Sequence, residues 1–354
     1  MVVRRKTRKV RVKDVFIGGD APISVQSMTK TNTSDVEGTL LQIRKLADAG
    51  CDIVRCAIPD APAAEAFAEI RRRSPLPLVA DVHFDYRLAL AAIEAGADKL
   101  RINPGNIGGR EKVARVARAA KERGIPIRVG VNSGSVEKDL LAKYGGPCAE
   151  ALVESARRSA GLLEDEGFAD IILSIKASDV RTTIEAYEAV AGETDYPLHV
   201  GLTEAGGVRS GTVKSSVAIG ALLLRGIGDT IRVSLTADPV EEVKVGQAIL
   251  SGLGLRSFGV EVISCPTCGR CHGDLPKILE EVENRVAGLR VPVKVAVMGC
   301  EVNGPGEAKE ADLGVALGEG VGLLFVQGRP AGRVPQHEIA DRLIAEITRF
   351  AGGA

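Results

Sequence analysis

Three cysteines and one glutamate near the C-terminal end have the residue types and spacing that could bind a metal centre. Cys265 and Cys268 stand in SCPTCGRC, and Cys300 and Glu307 stand in MGCEVNGPGE. A CxxC segment places two thiolates on one tight turn, and the distant Cys300 supplies a third. Three sulfur ligands and one carboxylate oxygen suit a [4Fe–4S] cluster whose fourth iron is held loosely and is open to chemistry.

Other interpretations of these cysteines compete with a cluster. Structural zinc sites also use a CxxC pair, but they need a second pair of ligands, and His272 is the only histidine nearby. Unrelated buried cysteines are a third interpretation. Cys271 extends the run to CxxCxxC, a spacing seen in ferredoxins, so it is an alternative to Glu307 as the fourth ligand. Disulfides are not expected, because the seven cysteines are an odd number and no secretion signal is evident.

Composition indicates an ordinary soluble protein with a substantial core. The chain has 354 residues, of which 45% are hydrophobic and 26% are charged. Basic and acidic residues both number 46, which argues against non-specific binding of nucleic acid. No apolar run approaches the roughly 18 residues of a membrane span, so a cytoplasmic location is expected. The basic segment Arg4–Lys13 runs into the alternating residues Val10, Val12, Val15 and Ile17, which predict a hairpin rather than a targeting arm.

The first part of the chain repeats a short apolar strand followed by an amphipathic helix. The predicted strands begin at Ile23, Asp52, Leu76, Lys99, Ile127, Asp170, Leu198 and Thr230. Eight such units in about 250 residues predict a TIM barrel, an α/β fold, over residues 1–254. A doubly wound open sheet is the alternative, but no glycine-rich phosphate turn follows the first strand.

A smaller α+β domain is predicted over residues 255–354, after a linker at Ser251–Gly259. Its predicted elements are a strand at Val260–Ile263, a helix at Leu275–Val286, a strand at Val293–Gly299, the strands LGVAL and GLLFVQG, and a final helix at about Gln336–Arg349. The cysteines and Glu307 lie in its loops, so this is the predicted cluster domain.

The predicted barrel strands end in polar residues, where TIM barrels carry their active sites. The basic ones are Arg55, Arg101, Arg128, Lys176 and Arg232, and uncharged or acidic candidates for substrate binding are Asp81, Asn103, Asn132 and Ser234. Structural ion pairs are one explanation of a single arginine in such a strand. Five cations on five strands instead predict a polyanionic substrate, such as a diphosphate, because buried unpaired cations are costly.

Two further residues at the strand ends could transfer protons. His83, in the sequence DVH, is either a catalytic residue or a histidine satisfied within the core. Glu204 is either a general acid or base or a counter-ion to the neighbouring cations. The residue pattern leaves both questions open.

The motifs of the chain resemble the 4-hydroxy-3-methylbut-2-enyl diphosphate synthase family of the methylerythritol phosphate pathway, in its bacterial two-domain form. The resemblance covers nearly the whole chain and includes, in order, VQSMT at Val25, VADVHF at Val79, RINPGN at Arg101, GVNSGS at Gly130, SIKASD at Ser174, GLTEAG at Gly201, IRVSLT at Ile231, SCPTCGR at Ser264 and MGCEVNGPGE at Met298. It implies a TIM barrel joined to a ferredoxin-like iron–sulfur domain.

The resemblance also implies an activity: reductive ring opening and dehydroxylation of 2-C-methyl-D-erythritol 2,4-cyclodiphosphate to 4-hydroxy-3-methylbut-2-enyl diphosphate, with flavodoxin or ferredoxin as electron donor. It implies a [4Fe–4S] cluster on Cys265, Cys268, Cys300 and Glu307, with Glu307 as the exchangeable ligand. It further implies a head-to-tail homodimer in which the cluster domain of one subunit caps the barrel mouth of the other. An iron–sulfur electron carrier or sensor, with the barrel as a scaffold, is the alternative class of function.

Overall fold

The structure is a computed structural model that describes residues 2–352. It divides into two compact units, the first ending at Arg256 and the second beginning at Ser257. Every helix in the described residues is too short or too polar to cross a bilayer.

The first unit is an N-terminal hairpin followed by eight strands and nine helices within the described residues. The hairpin strands are β1 (Val10–Val12) and β2 (Val15–Ile17), which pair antiparallel as predicted. The remaining strands are β3 (Ser24–Met28), β4 (Ile53–Ala57), β5 (Leu78–Asp81), β6 (Lys99–Ile102), β7 (Ile127–Asn132), β8 (Ile171–Lys176), β9 (His199–Val200) and β10 (Thr230–Ile231). The helices are α1 (Val36–Asp48), α2 (Ala61–Arg73), α3 (Tyr86–Glu94), α4 (Arg110–Glu122), α5 (Lys138–Tyr144), α6 (Ala149–Glu164), α7 (Val180–Glu193), α8 (Val208–Leu224) and α9 (Pro239–Gly252).

The eight strands β3 to β10 form a parallel barrel. Their order is β8-β7-β6-β5-β4-β3-β10-β9, and every neighbouring pair is parallel. A parallel bridge between Leu173 and Leu198 joins the two ends of this series, and the Leu173 N–H donates to the Pro197 carbonyl at 2.9 Å. Parallel strands that alternate with helices around such a ring are a TIM barrel, so this prediction is confirmed.

Aspartate caps fix where several barrel helices begin. The side chains of Asp35, Asp60 and Asp179 each accept a hydrogen bond from a backbone N–H in the first turn of α1, α2 and α7. Such a cap satisfies a donor that the helix itself leaves unpaired. The caps therefore set the length of the loops that carry polar residues at the C-terminal ends of the strands.

The N-terminal segment closes the opposite end of the barrel. One hydrophobic cluster unites the hairpin residues Val10, Val12 and Ile17 with Ile53, Val79 and Ile172 on three barrel strands. Arg4 also forms an ion pair with Asp229 at 3.0 Å, and the Arg5 guanidinium donates to backbone carbonyls that include that of Tyr196. The hairpin is thus an apolar plug at the N-terminal ends of the strands.

The second unit is a mixed five-stranded sheet with three helices in the described residues. The strands are β11 (Glu261–Ser264), β12 (Lys294–Met298), β13 (Leu313–Leu317), β14 (Val321–Val326) and β15 (Arg329–Pro335), and the helices are α10 (Leu275–Val286), α11 (Gly304–Lys309) and α12 (Ile339–Gly352). The strands lie side by side in chain order. β11, β12 and β13 are parallel, whereas β14 is antiparallel to both of its neighbours, β13 and β15. Apolar residues of α10 and α12, including Val282, Leu343 and Ile347, pack on this sheet as its core.

The sequence did not predict two elements of this unit. β15 contains Pro330 and Pro335, and proline is tolerated there because β15 pairs only with β14 at the edge of the sheet. Helix α11 begins in Asn303-Gly304-Pro305, residues interpreted as a turn; proline in a first helical turn loses no hydrogen bond. The predicted last helix starts late, because a 3₁₀ turn occupies Gln336–Glu338.

Candidate active site and cysteine cluster

A cavity of about 230 Å³ lies at the C-terminal ends of the barrel strands. Most of the residues that line it were predicted from the strand ends. The lining residues are Met28, Arg55, Asp81, His83, Arg101, Arg128, Asn132, Ser174, Lys176, Thr203, Arg232 and Ser234.

The register of two neighbouring parallel strands places two of the arginines side by side. Arg101 on β6 and Arg128 on β7 are partners in the parallel register. The Arg101 side chain crosses β7 at Gly130, where its Nη2 donates to the Gly130 carbonyl at 3.2 Å. A Cβ at position 130 would lie 2.5 Å from Arg101 Nε, so only glycine leaves room for this guanidinium.

Asp81 at the end of β5 orients the group of side chains around it. Its Oδ1 lies 3.1 Å from Arg101 Nη1, and its Oδ2 lies 3.4 Å from Arg55 Nε. His83 Nε2 is 2.8 Å from the same Arg101 nitrogen and 3.5 Å from Asp81 Oδ1. The Arg55 guanidinium also donates to the Met28 sulfur at 3.2 and 3.0 Å.

These contacts decide the protonation states. Burial alone would raise the pKa of Asp81, but the charge of Arg55, the hydrogen bond with His83 and the charge of Arg101 together hold it well below its usual value. Burial lowers the pKa of Arg55 to about 10, opposed by Asp81 and reinforced by the nearby charges of Arg232 and Arg101. The Arg55–Asp81 pair therefore stays ionised near neutral pH.

Two of the five basic side chains, those of Arg128 and Lys176, form no ion pair with an acid within residues 2–352, although the charge of Asp81 acts on Arg128. Arg128 is 1% exposed and its Nε is unpaired, and Lys176 is also buried. Burial lowers the pKa values of Arg128 and Lys176 well below their usual range. Nearby positive charges lower them further: those of Arg55 and Arg101 act on Arg128, and that of Arg232 acts most strongly on Lys176. A bound anion would relieve this cost.

Arg232, which follows β10, is held by an acid outside the cavity lining. Its Nη2 lies 3.3 Å from Glu242 Oε2, and Glu242 is itself buried and accepts from the Ser27 hydroxyl at 3.1 Å. Both explanations of the arginines therefore apply: Arg55, Arg101 and Arg232 have acidic partners, whereas Arg128 and Lys176 do not.

Of the three other predicted residues, His83, Glu204 and Asn103, only His83 lines the cavity. His83 lines the cavity and has a side chain 45% exposed. Glu204 does not line it: it is exposed in the loop after β9 and has a φ of 53°, which is unusual outside glycine. Asn103 is buried next to the cavity, where it donates to Ser135 Oγ at 3.1 Å and accepts from Gly105 N–H at 3.2 Å, so it joins two loops.

Sequence reasoning missed three lining residues, Met28, Ser174 and Thr203. Side chains two apart on a strand face the same side, so Ser174 is signalled by Lys176. Met28 and Thr203 belong to the motifs VQSMT and GLTEAG, but no periodicity in the sequence marks them as lining residues.

The lining has five basic side chains and Asp81 as its acid. Arginine forks bind phosphate oxygens through paired hydrogen bonds, and buried cations without partners favour an anion most strongly. The cavity is therefore suited to a small, anionic, oxygen-rich ligand.

In the second unit, parallel pairing brings the predicted cluster ligands to one edge of the sheet. Cys265 directly follows β11 and Cys300 follows β12 after Gly299, and these strands are paired in register, Ser264 with Val297. The Gly299 N–H donates to the Cys265 sulfur at 3.3 Å. Backbone N–H groups of the 302–304 segment hold the pKa of the Cys300 thiol below its usual value, and the charge of Arg270 adds to this.

The sulfur atoms of Cys271 and Cys265 pack against the backbone at Gly299, which has no side chain. A Cβ there would lie 2.7 Å from Cys271 Sγ and 3.3 Å from Cys265 Sγ. Cys268 and the Glu307 carboxylate are exposed, and as they stand no three Cys, His, Asp or Glu side chains of residues 2–352 are close enough to hold a metal ion. The donor types, three thiolates and one carboxylate, nevertheless fit an iron–sulfur cluster.

Comparison with known proteins agrees with both units. Residues 7–247 match the GcpE TIM-barrel domain, and residues 261–349 match the GcpE protein C-terminal domain. A protein of Geobacter sulfurreducens is 58% identical over 348 residues, 98% of this chain and 99% of its own. One of Geobacillus kaustophilus is 58% identical over 351 residues, 99% of this chain and 94% of its own. Both are named 4-hydroxy-3-methylbut-2-en-1-yl diphosphate synthase (flavodoxin).

Among solved structures, 3-dehydroquinate dehydratase from Geobacillus kaustophilus has a TM-score of 0.51 at 15% identity. The match covers 71% of this chain and 99% of that one, and it supports the barrel fold alone. The two family domains and the near full-length relatives settle the family. The chain belongs to the GcpE family.

Proposed function

We propose that the chain converts 2-C-methyl-D-erythritol 2,4-cyclodiphosphate to 4-hydroxy-3-methylbut-2-enyl diphosphate by reductive ring opening and dehydroxylation. The observation that carries this proposal is the cavity at the barrel mouth, where five basic side chains face one acid. The names of relatives 58% identical over nearly the whole chain give the product, 4-hydroxy-3-methylbut-2-en-1-yl diphosphate, which carries the anionic groups that such a cavity would bind.

The basic residues fall into two groups, those without an acidic partner in the protein and those with one. Arg128 and Lys176 form no ion pair with an acid within residues 2–352, so they gain most from the phosphate oxygens. Arg55, Arg101 and Arg232 are already held by Asp81 and Glu242, so their free N–H groups are oriented before the substrate arrives.

The uncharged residues complete the binding site. Asn132 and Ser234 line the cavity and can bind the hydroxyl and ring oxygens of the substrate. Asn103 contributes indirectly, because it joins the loops at positions 105 and 135.

Two residues are candidates to deliver the protons that the reaction consumes. The His83 ring is half-exposed at the mouth, and its Nε2 lies 2.8 Å from Arg101 Nη1, which fixes its position beside the bound anion. The Glu204 carboxylate, in the loop next to Thr203, is the second candidate. Protonation of the departing hydroxyl by either group would let it leave as water.

Cys265, Cys268, Cys300 and Glu307 would hold a [4Fe–4S] cluster. When bound, such a cluster supplies electrons one at a time and acts as a Lewis acid at an iron with an exchangeable ligand. Backbone pairing of β11 with β12 brings Cys265 and Cys300 to one edge of the sheet. The names of the relatives favour flavodoxin as the electron donor.

The activity can be tested directly. Anaerobically purified protein should contain about four irons per chain. It should form 4-hydroxy-3-methylbut-2-enyl diphosphate from the cyclic diphosphate when reduced flavodoxin is supplied, as measured by liquid chromatography with mass detection. A protein that contains the cluster and accepts electrons, but neither binds nor converts the cyclic diphosphate, would be an electron carrier instead.

We further propose that the chain acts as a homodimer whose sites combine the barrel of one subunit with the cluster residues of the other. Arg128→Ala and Cys300→Ser chains should each be inactive, because each lacks a residue from a different unit. After subunit exchange in an equal mixture, half of the dimers are mixed and one of their two sites is intact, so roughly a quarter of the activity should return. Exchange without recovery would place both residues in the same subunit's site.

A further inference from the structure

A fourth cysteine shares the space beside Gly299 with Cys265. Cys271 Sγ and Cys265 Sγ both lie within 3.3 Å of the point that a Gly299 Cβ would occupy. The third neighbour of that point is a methyl group of Leu275. Because these distances are 2.7 and 3.3 Å, the two sulfur atoms lie at most about 6 Å apart, beside that methyl group.

The backbone around this pair is fixed by hydrogen bonds. The Cys271 N–H donates to the Cys268 carbonyl at 2.9 Å, and the His272 N–H donates to the Gly299 carbonyl at 2.8 Å. Both cysteine side chains also pack against the core of the second unit. A disulfide would require the two sulfur atoms to move to about 2 Å from each other while these backbone hydrogen bonds hold the segment in place.

We propose that Cys265 and Cys271 form a reversible disulfide when the chain is free of its cluster. The oxidant is a small disulfide such as oxidised glutathione. One cysteine thiolate attacks its S–S bond and releases one glutathione thiolate; the second cysteine thiolate then displaces the other. The chain's two thiols lose two electrons and two protons, and two molecules of reduced glutathione carry them away.

The geometry selects Cys271 over Cys268 as the partner. CxxC pairs often form disulfides, which would join Cys265 to Cys268. Cys268, however, is exposed and is not among the three atoms nearest the shared point, whereas Cys271 Sγ is the nearest of all. Cys271, which the proposed cluster does not use, is thereby assigned a role.

The disulfide would protect Cys265, a proposed cluster ligand, from irreversible oxidation. A free thiolate can be oxidised beyond sulfenic acid to forms that cellular thiols cannot reduce, whereas a disulfide is recovered by thiol exchange. This consequence rests on the proposed iron–sulfur site, because only then is Cys265 a ligand worth preserving. The disulfide itself depends only on the arrangement of the cluster-free chain.

The full cluster-free chain, treated with oxidised glutathione, provides the first test. Digestion and mass spectrometry should reveal a Cys265–Cys271 cross-link, which thiol reductants reverse. In Cys271→Ser this cross-link should be absent, and Cys265 should be recovered mainly as a free thiol. Cys148→Ser, a matched change in the other unit, should leave the cross-link unchanged. A predominant Cys265–Cys268 cross-link in the unmodified chain, or Cys271 recovered as a free thiol, would overturn the proposal.

A second test separates the disulfide from the iron–sulfur function. Cluster-free chains are treated with oxidised glutathione, exposed to hydrogen peroxide, reduced, and supplied with iron and sulfide, and cluster assembly is followed by absorbance. The unmodified chain should regain several-fold more cluster than Cys271→Ser. Equal recovery would reject the protective role. Failure of a never-oxidised chain to assemble any cluster would reject the proposed cofactor and leave the cross-link result standing.

Discussion

Replacing Arg128 by methionine should stabilise the substrate-free protein and abolish binding of the cyclic diphosphate. Arg128 is buried, and no acid pairs with it within residues 2–352. Replacement of a buried charge by an apolar side chain of similar length often stabilises a fold, by about 1–4 kcal/mol where pairs have been replaced. The lost guanidinium would remove two charge-assisted hydrogen bonds of about 1.5–3 kcal/mol each, so affinity should fall on the order of 100-fold or more.

Urea unfolding and calorimetric titration with the cyclic diphosphate would measure the two effects. Arg128→Lys should retain charge but lose the fork, with an intermediate affinity. Arg157→Met is the control, because Arg157 forms a surface ion pair with Glu193 and should affect neither quantity by more than about 1 kcal/mol. Loss of stability together with unchanged affinity would mean that Arg128 is a structural residue.

Replacing Glu307 by cysteine should preserve the cluster and remove most of the turnover. A thiolate binds iron more tightly than a carboxylate, so the exchangeable ligand would become a fixed one. A Lewis-acid contact contributes several kcal/mol to a rate, and about 1.4 kcal/mol is tenfold, so turnover should fall roughly 100-fold. Iron content and steady-state kinetics with reduced flavodoxin would be measured on the same samples.

Glu310→Cys is the matched control for this change. Glu310 is an exposed glutamate at the end of the same short helix, α11, and its replacement should alter neither iron content nor turnover. Full activity in Glu307→Cys would remove Glu307 from the reaction. Cys271→Ser should keep its iron; loss of iron there would make Cys271 the fourth ligand.

The barrel could be predicted because each of its strands is a short apolar run between helices with their own periodicity. The first strand was placed at Ile23 and begins at Ser24. The last two strands are shorter than their apolar runs, with two residues each, because the residues that follow leave the sheet and line the cavity, among them Thr203, Arg232 and Ser234. An apolar run in the sequence predicts that a strand is buried. The residue at which the strand ends depends on the tertiary contacts of the side chains that follow, which the sequence does not show.

The cavity was predictable in its charge but not in its pairing. An arginine in a buried strand needs either a bound anion or an acidic side chain as its partner. The sequence alone does not say which of these two partners Arg101 or Arg128 has. The structure separates them through the register, which puts Asp81 beside Arg101. Long-range pairs such as Arg232 with Glu242 depend on where a loop returns, and no local pattern records that.

The cysteine segment was predicted from spacing, and its backbone arrangement is clear, but the ligand side chains were beyond sequence reasoning. Spacing puts Cys265 and Cys268 on one turn, whereas the direction of each thiol follows from local packing. Cys271 was interpreted as an alternative ligand, and its closeness to Cys265 depends on Gly299, which lies on a different strand's end.

The plug of β1 and β2 has a consequence for how the chain folds during synthesis. Its residues are synthesised before the strands on which they pack: Ile172 lies on the sixth barrel strand, and Arg4 pairs with Asp229, 225 positions later. The contacts of this hairpin with the barrel can therefore form only when most of the barrel has been made. Such long-range closure slows folding and leaves apolar surface open to aggregation. A bulky group fused directly before Arg4 would therefore hinder contacts that form late in folding.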